Sequence, residues 1–171
     1  MKKCLYLIAL CAIVSCSKSN SHSSGSNSGY NYSANFDGQQ KTFNTQVSAV
    51  KSKITDGMYT LVITGIANSE QSAVSLWSDK DDFTAGNTYS SSALNGTAEN
   101  LLAYVSPLGS ADPANQWTTS SSGAGTEQFT CTITEATSTY IKGTFSGTLY
   151  NSSTPGSSTK SVTNGQFYAK F

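Results

Sequence analysis

Twice between residues 140 and 171 the chain alternates apolar and polar residues with the two-residue period of a half-buried strand, and this restricts it to a β architecture. In Tyr140-Ile-Lys-Gly-Thr-Phe-Ser-Gly-Thr-Leu-Tyr150, residues Ile141, Gly143, Phe145, Gly147 and Leu149 share one face. Tyr140, Lys142, Thr144, Ser146 and Thr148 share the other, which meets water. In the closing stretch Phe167, Ala169 and Phe171 alternate with Gln166, Tyr168 and Lys170. The pattern predicts an integral C-terminal strand that ends on a core phenylalanine. The inward Gly143 and Gly147 predict room for a bulky side chain from an opposing sheet, or a sharpened bend.

The rest of the chain reads the same way. Residues 31–36 and 40–50 flank Asp37-Gly38, a hairpin signal. Asp56-Gly57 then separates residues 40–50 from a strand over 59–67. Further strands are predicted over 73–78, 101–105, 127–134, 140–151 and 161–171. About eight strands at this spacing predict an all-β domain, a two-sheet antiparallel sandwich with a flattened β-barrel as the alternative. No segment has a convincing helical period; residues 92–102 are the one place for a short helix.

The N-terminus has a different logic. Lys2 and Lys3 precede an apolar run over residues 5–14, and small Ser15 precedes Cys16. This is the three-part pattern of a secretory signal. Ten helical residues rise only about 15 Å, so the run is too short to span about 30 Å of hydrocarbon. Ile13-Val14-Ser15-Cys16 resembles the lipobox of bacterial lipoproteins. The resemblance implies cleavage before Cys16 and acylation of Cys16, with palmitate-type chains anchoring the protein to the membrane. Residues 1–15 are then the signal peptide, 16–29 the lipidated cysteine with a tether, and 30–171 the domain. The tether contains only Ser, Asn, Gly, Lys and His beyond Cys16 and has nothing to bury. Thirteen such residues reach about 20 Å.

Composition narrows the partners. Removing 1–15 leaves eight lysines against ten acidic residues, a formal charge of 8 − 10 = −2, and the chain has no arginine. Nucleic acid is not an expected partner, since it needs clustered Lys and Arg. Charged residues make up only 12% of the chain, so hydroxyl and amide side chains must carry the surface.

The stretch from Ile141 to Gly147, followed by a polar hairpin and Val162-Thr-Asn-Gly-Gln-Phe167, resembles the closing hairpin of small uncharacterised lipoproteins of Bacteroidota. Phe83-Thr-Ala-Gly-Asn-Thr-Tyr89 is similar to their recurrent turn-and-strand, and residues 34–43 to their opening hairpin. The resemblance implies a single all-β domain in the cell envelope, on the outer membrane, and carries no activity. Acidic residues often follow the lipidated cysteine of surface-displayed members; residues 17–21 contain none, so it does not imply which face of that membrane is occupied.

Little in the chain points to catalysis. The sole histidine, His22, lies in the tether, where a general base has no fixed geometry. Once Cys4 and Cys11 leave with the signal and Cys16 takes lipid, Cys131 has no partner. It shares a strand face with Phe129 and Ile133 and is read as a small buried hydrophobe. Asp79, Asp81 and Asp82 form the densest acidic cluster, a weak candidate for calcium set between two strands; a solvated turn is the default. No cofactor is expected. Trp117, in a polar loop over 113–125, and Trp77, in the 73–78 strand, are the candidate ligand-binding residues. These features predict a membrane-anchored, non-catalytic binding or structural module whose partner is a glycan or an envelope protein. The alternatives are a carbohydrate-binding module of a polysaccharide-uptake system and a hydrolase built on a carboxylate pair.

Overall fold

The computed structural model describes residues 29–91, 93–94, 98–119, 129–154 and 157–171. The signal segment, Cys16, His22 and the tether through residue 28 lie outside them, as do residues 120–125 of the stretch that holds Trp117.

Asp37 and Gly38 both take left-handed backbone angles (φ 50° and 81°), as a tight two-residue turn requires. They join β1 (Asn31–Phe36) to β2 (Gln39–Thr42). A three-stranded meander follows, β3 (Gln46–Thr55), β4 (Met58–Ala67) and β5 (Glu70–Ser78). Short strands come next: β6 (Thr88–Ser90), β7 (Ala93–Leu94), β8 (Ala98–Glu99) and β9 (Leu101–Val105). A 3-10 turn, Pro113–Asn115, leads into β10 (Gln116–Thr118). β11 (Phe129–Ala136), β12 (Tyr140–Asn151) and β13 (Thr159–Lys170) complete the chain.

The class is all-β. Hydrogen bonds do not divide the strands into two sheets, however. Eleven belong to one sheet, and β7 with β8 form a separate two-stranded ladder. The large sheet returns on itself through β13, β3, β4, β5, β9, β10 and β12, and from β12 back to β13. The length of β13 makes this possible. One edge pairs with β12 along nearly its whole run. The other edge serves β1 from Val162 to Tyr168 and then meets β3 in a parallel contact of Lys170 with Ser48. That last pairing closes the ring.

Inside the ring lie Tyr32, Phe43, Leu61, Ile63, Leu102 and Ile133, all fully buried. The Tyr32 hydroxyl is satisfied by Ser72 Oγ at 2.9 Å, and Ser72 donates in turn to the Ala103 carbonyl at 3.1 Å. The glycines of the closing hairpin have a specific task. Gly143 stands directly across from Phe167, and Phe145 across from Gly165. A Cβ on Gly143 would overlap the Phe167 ring, and one on Gly165 would overlap Phe145. Each phenylalanine therefore covers the glycine of the neighbouring strand, and the two rings lie 6.4 Å apart at 23°. The side chain accommodated at Gly143 comes from the adjacent strand, not from an opposing sheet. Gly147 sits where the β12–β13 register shifts, beside left-handed Asn164.

Three other expectations change. Residues 40–50 are not one strand: the chain turns at 43–45, where Phe43 N–H donates to the Tyr32 carbonyl and Thr45 N–H to that of Ile66. The chain thereby exchanges β1 for β4 as its partner. Residues 93–94, 98–99 and 101–102, the one place left for a short helix, are strand, and Asn100 joins two of these strands; 92 and 95–97 lie outside the described residues. Phe171 is not in the core. It lies just past β13, 39% exposed, with its N–H on the Thr139 carbonyl.

The ring has two ends. One carries Tyr30, the 137–140 turn, Phe171 and the tip of the β3–β4 hairpin, because β3 runs on past its contact with Lys170 in the direction in which β13 ends. The other carries the β1–β2 turn, the 3-10 turn and residues 151–154 and 157–158. The twelve residues of β12 separate the two by about 35 Å.

Candidate functional site

Trp117 lies in β10, not in a loop. It pairs with Tyr104 of β9 on one side and Asn151 of β12 on the other. Its ring is half-buried and packs on the edge of the core at the end of the ring far from Tyr30. Lys160 Nζ stands 4.4 Å from the Trp117 ring centroid and pairs with Asp37 Oδ2 at 3.5 Å. Asp37 is fixed by its turn: its N–H donates to the Ser161 carbonyl and its Oδ1 accepts from Ser161 N–H, both at 2.9 Å.

The neighbouring position repeats the arrangement. Lys41 Nζ lies 5.1 Å from the Tyr104 ring centroid. It donates to Glu70 Oε1 and Oε2 at 2.7 and 2.8 Å and to the Tyr104 hydroxyl at 3.0 Å. Tyr104 donates to Glu70 Oε1 at 2.7 Å, and Ser106 Oγ approaches the same oxygen at 3.4 Å. Burial by itself would raise the Glu70 carboxyl, but the hydrogen bonds from Lys41 and Tyr104 outweigh it and hold the carboxyl below its usual range. Burial likewise opposes the Lys41 charge, and the Glu70 and Tyr104 partners push its pKa up. Burial, together with the Glu70 partner, raises the Tyr104 phenol.

Trp117 and Tyr104 thus lie on adjacent strands, each with a lysine over its ring and each lysine matched by a carboxylate, but Tyr104 is buried in the core and only Trp117 is part-exposed. Across β10 from Trp117, Gln116 Nε2 donates to the Ser110 carbonyl at 2.8 Å. Gln116 Oε1 and Ser152 Oγ are buried without a hydrogen-bond partner among the described residues. Asn151 donates to the Ala114 carbonyl at 2.9 Å and accepts from Ser153. Around the Trp117 ring the rim thus packs buried amide and hydroxyl groups from Gln116, Asn151 and Ser152.

Trp77 does not join Trp117. It is half-buried on the outer face of β5, opposite Thr60, and its N–H donates to Asn100 Oδ1 at 2.7 Å. Tyr104 faces Ser72 on that strand, so Trp77 lies five residues, about 17 Å, further along. Asp79, Asp81 and Asp82 point to separate tasks. Asp81 pairs with Lys51 at 3.0 Å, Asp82 accepts from Ser78 Oγ at 2.8 Å, and Asp79 is exposed. Among the described residues, no group of three His, Cys, Asp or Glu side chains is arranged to hold a metal ion. Cys131 is fully buried, facing Phe145 and Tyr89 on the adjoining strands, and burial pushes its thiol up to about 12. A thiol so placed stays protonated at neutral pH and is a poor nucleophile.

A second aromatic group was not singled out from the sequence. Tyr30 meets Tyr168 at 4.7 Å, and Tyr168 meets Tyr140 at 5.2 Å, both edge-on. Lys142 Nζ lies 4.8 Å from the Tyr168 ring centroid and 5.2 Å from that of Tyr140. It bonds Glu135 Oε2 at 2.7 Å, and the Tyr140 hydroxyl donates to Oε1 of the same carboxylate. These partners, Lys142 first, hold Glu135 below its usual range. The outward positions of Tyr140 and Tyr168 were the available signal.

Comparison of the chain with family models, curated proteins and solved structures finds no match.

Proposed function

We propose that the protein is a lipid-anchored, non-catalytic binding module of the bacterial cell envelope, on the outer membrane, and that it holds a glycan at the rim around the half-buried Trp117. The observation that carries this is the part-exposed Trp117 ring at the end of the domain far from Tyr30, with the Lys160–Asp37 pair beside it. Sugar C–H faces stack on such a ring, and Lys160 and Asp37 offer hydrogen-bonding groups beside it. The lipobox-like segment ending at Cys16 and the likeness of the 141–167 hairpin to Bacteroidota lipoproteins support the anchorage. The carboxylate-hydrolase alternative finds less support. A general acid needs a raised pKa, whereas Glu70 and Glu135 are both held low by lysines.

A glycan-array screen of the mature protein beside its Trp117→Ala variant tests this reading. Binding by the wild type that is lost in a folded Trp117→Ala protein is expected. An array without wild-type binding rejects the glycan, and binding that survives in the variant rejects the rim.

A further inference from the structure

The end of the ring nearest the tether differs in kind from the rim. Among the described residues three large hydrophobic side chains are exposed: Val50 at 47%, Ile54 at 50% and Phe171 at 39%. All three belong to this end. Val50 and Ile54 lie on the part of β3 that continues past Lys170, and Phe171 follows β13. The tyrosine group of Tyr30, Tyr140 and Tyr168 stands at the same end, with Lys142 across its rings. The charges here largely cancel: Lys51 pairs with Asp81, Lys53 with Asp56, and Lys142 with Glu135. Lys80 beside Asp79 and Asp82, and Lys170 at the end of β13, complete the set. The end is therefore apolar and aromatic with little net charge, the composition that partitions into a headgroup layer without needing anionic lipid.

The chain supplies the occupant. Residues 17–29 join Tyr30 to Cys16, and for their Ser/Asn/Gly-rich composition a coil of that length has a reach of about 20 Å. A short tether holds the domain at an effective concentration near millimolar relative to the surface, so a weak interfacial affinity suffices. We infer that this end, through Val50, Ile54, Phe171 and the Tyr30–Tyr168–Tyr140 group, lies against the phospholipid headgroup layer and points the Trp117 rim away from the membrane. The inference rests on the lipid anchor proposed above.

The test uses the full lipoprotein in phosphatidylethanolamine-rich vesicles that contain brominated lipid. Ser138→Cys in the exposed 137–140 turn carries a fluorophore in one sample, and Ala111→Cys near the 3-10 turn carries it in another; buried Cys131 does not compete for the label. Quenching at Ser138 several-fold stronger than at Ala111, unchanged between low and high salt, is the expected result. An Ile54→Ser/Phe171→Ser protein, altered only at exposed positions, should lose that difference and stay folded. Equal or absent quenching overturns the inference, as does quenching that salt abolishes. Mass spectrometry separates the two failures: acylated but unquenched protein rejects the membrane contact alone, whereas Cys16 without acyl chains rejects the anchor and the contact together.

Discussion

The two ends of the ring use the same ingredients to different effect. At the rim, Lys160 and Lys41 cover Trp117 and Tyr104 and pair with Asp37 and Glu70. At the tether end, Lys142 covers Tyr140 and Tyr168 and pairs with Glu135. The difference lies in what backs the rings. Tyr104 belongs to the core and Trp117 packs on its edge, so both are oriented from behind; Lys41, Glu70 and Lys160 are half-buried and Asp37 is exposed. The tyrosines lie on the outer surface, packed on one another with Lys142 across their rings. Rings oriented by a core suit recognition of a shaped ligand. Rings that lean on each other, at the end that also exposes Ile54 and Phe171, suit a soft, featureless surface.

Because both ends share the β12–β13 wall, the strongest perturbation should remove them together. Phe167→Ala empties the space over Gly143 and is expected to cost about 3–5 kcal/mol in chemical denaturation. Tryptophan fluorescence and tyrosine absorbance should report one coincident transition; separate transitions would show that the ends are independent units. Next in size, Lys41→Met should cost about 1–2 kcal/mol, since it leaves Glu70 half-buried beside Tyr104 alone. This contribution has a defined pH window. The Glu70 carboxyl is lowered on folding, so its stabilisation is complete above its unfolded value near ~4.3 and is lost as pH falls through the lower folded value. Lys41 is raised, so its share is complete below its unfolded value near ~10.4 and is lost as pH rises through the folded value. The wild-type minus variant difference should therefore be flat at neutral pH and shrink at both extremes.

At the other end, Tyr168→Ala removes two edge-on ring contacts and should cost about 1 kcal/mol while leaving glycan binding unchanged. A variant that lost glycan binding would merge the two sites and break the comparison. Asp81→Asn should change stability by less than about 0.5 kcal/mol, because its pair with Lys51 is solvated.

Local features of the fold were legible in the sequence. The alternation over 140–151 and 161–171 and the Asp37-Gly38 turn specify strands and a hairpin, because side-chain period and backbone handedness are properties of neighbouring residues. Ring closure was not legible. It depends on Lys170 meeting Ser48 across more than a hundred residues, and nothing in either segment announces that pairing. The break at 43–45 was hidden as well, since Gln40 to Val50 is strand-compatible throughout and only the exchange of partners interrupts it. Of the site, Trp117 was visible as a tryptophan among polar residues. Its strand was not, because three residues are too few to alternate, and Tyr104, Lys41, Glu70 and Lys160 reach it only through folding. Phe171 follows the inward period of β13 but lies one residue past its end at Lys170, where no strand remains to cover it, so the pattern outruns the sheet.

Hydrogen exchange measured by mass spectrometry on the vesicle-anchored lipoprotein, against the same chain made without its lipid, compares both ends in one experiment. Slower exchange over 49–58, 137–142 and 168–171 with no change over 112–119 and 149–154 is the result predicted by a domain that rests on one end and presents the other. Slowing at the Trp117 rim, or no change at either end, would contradict it.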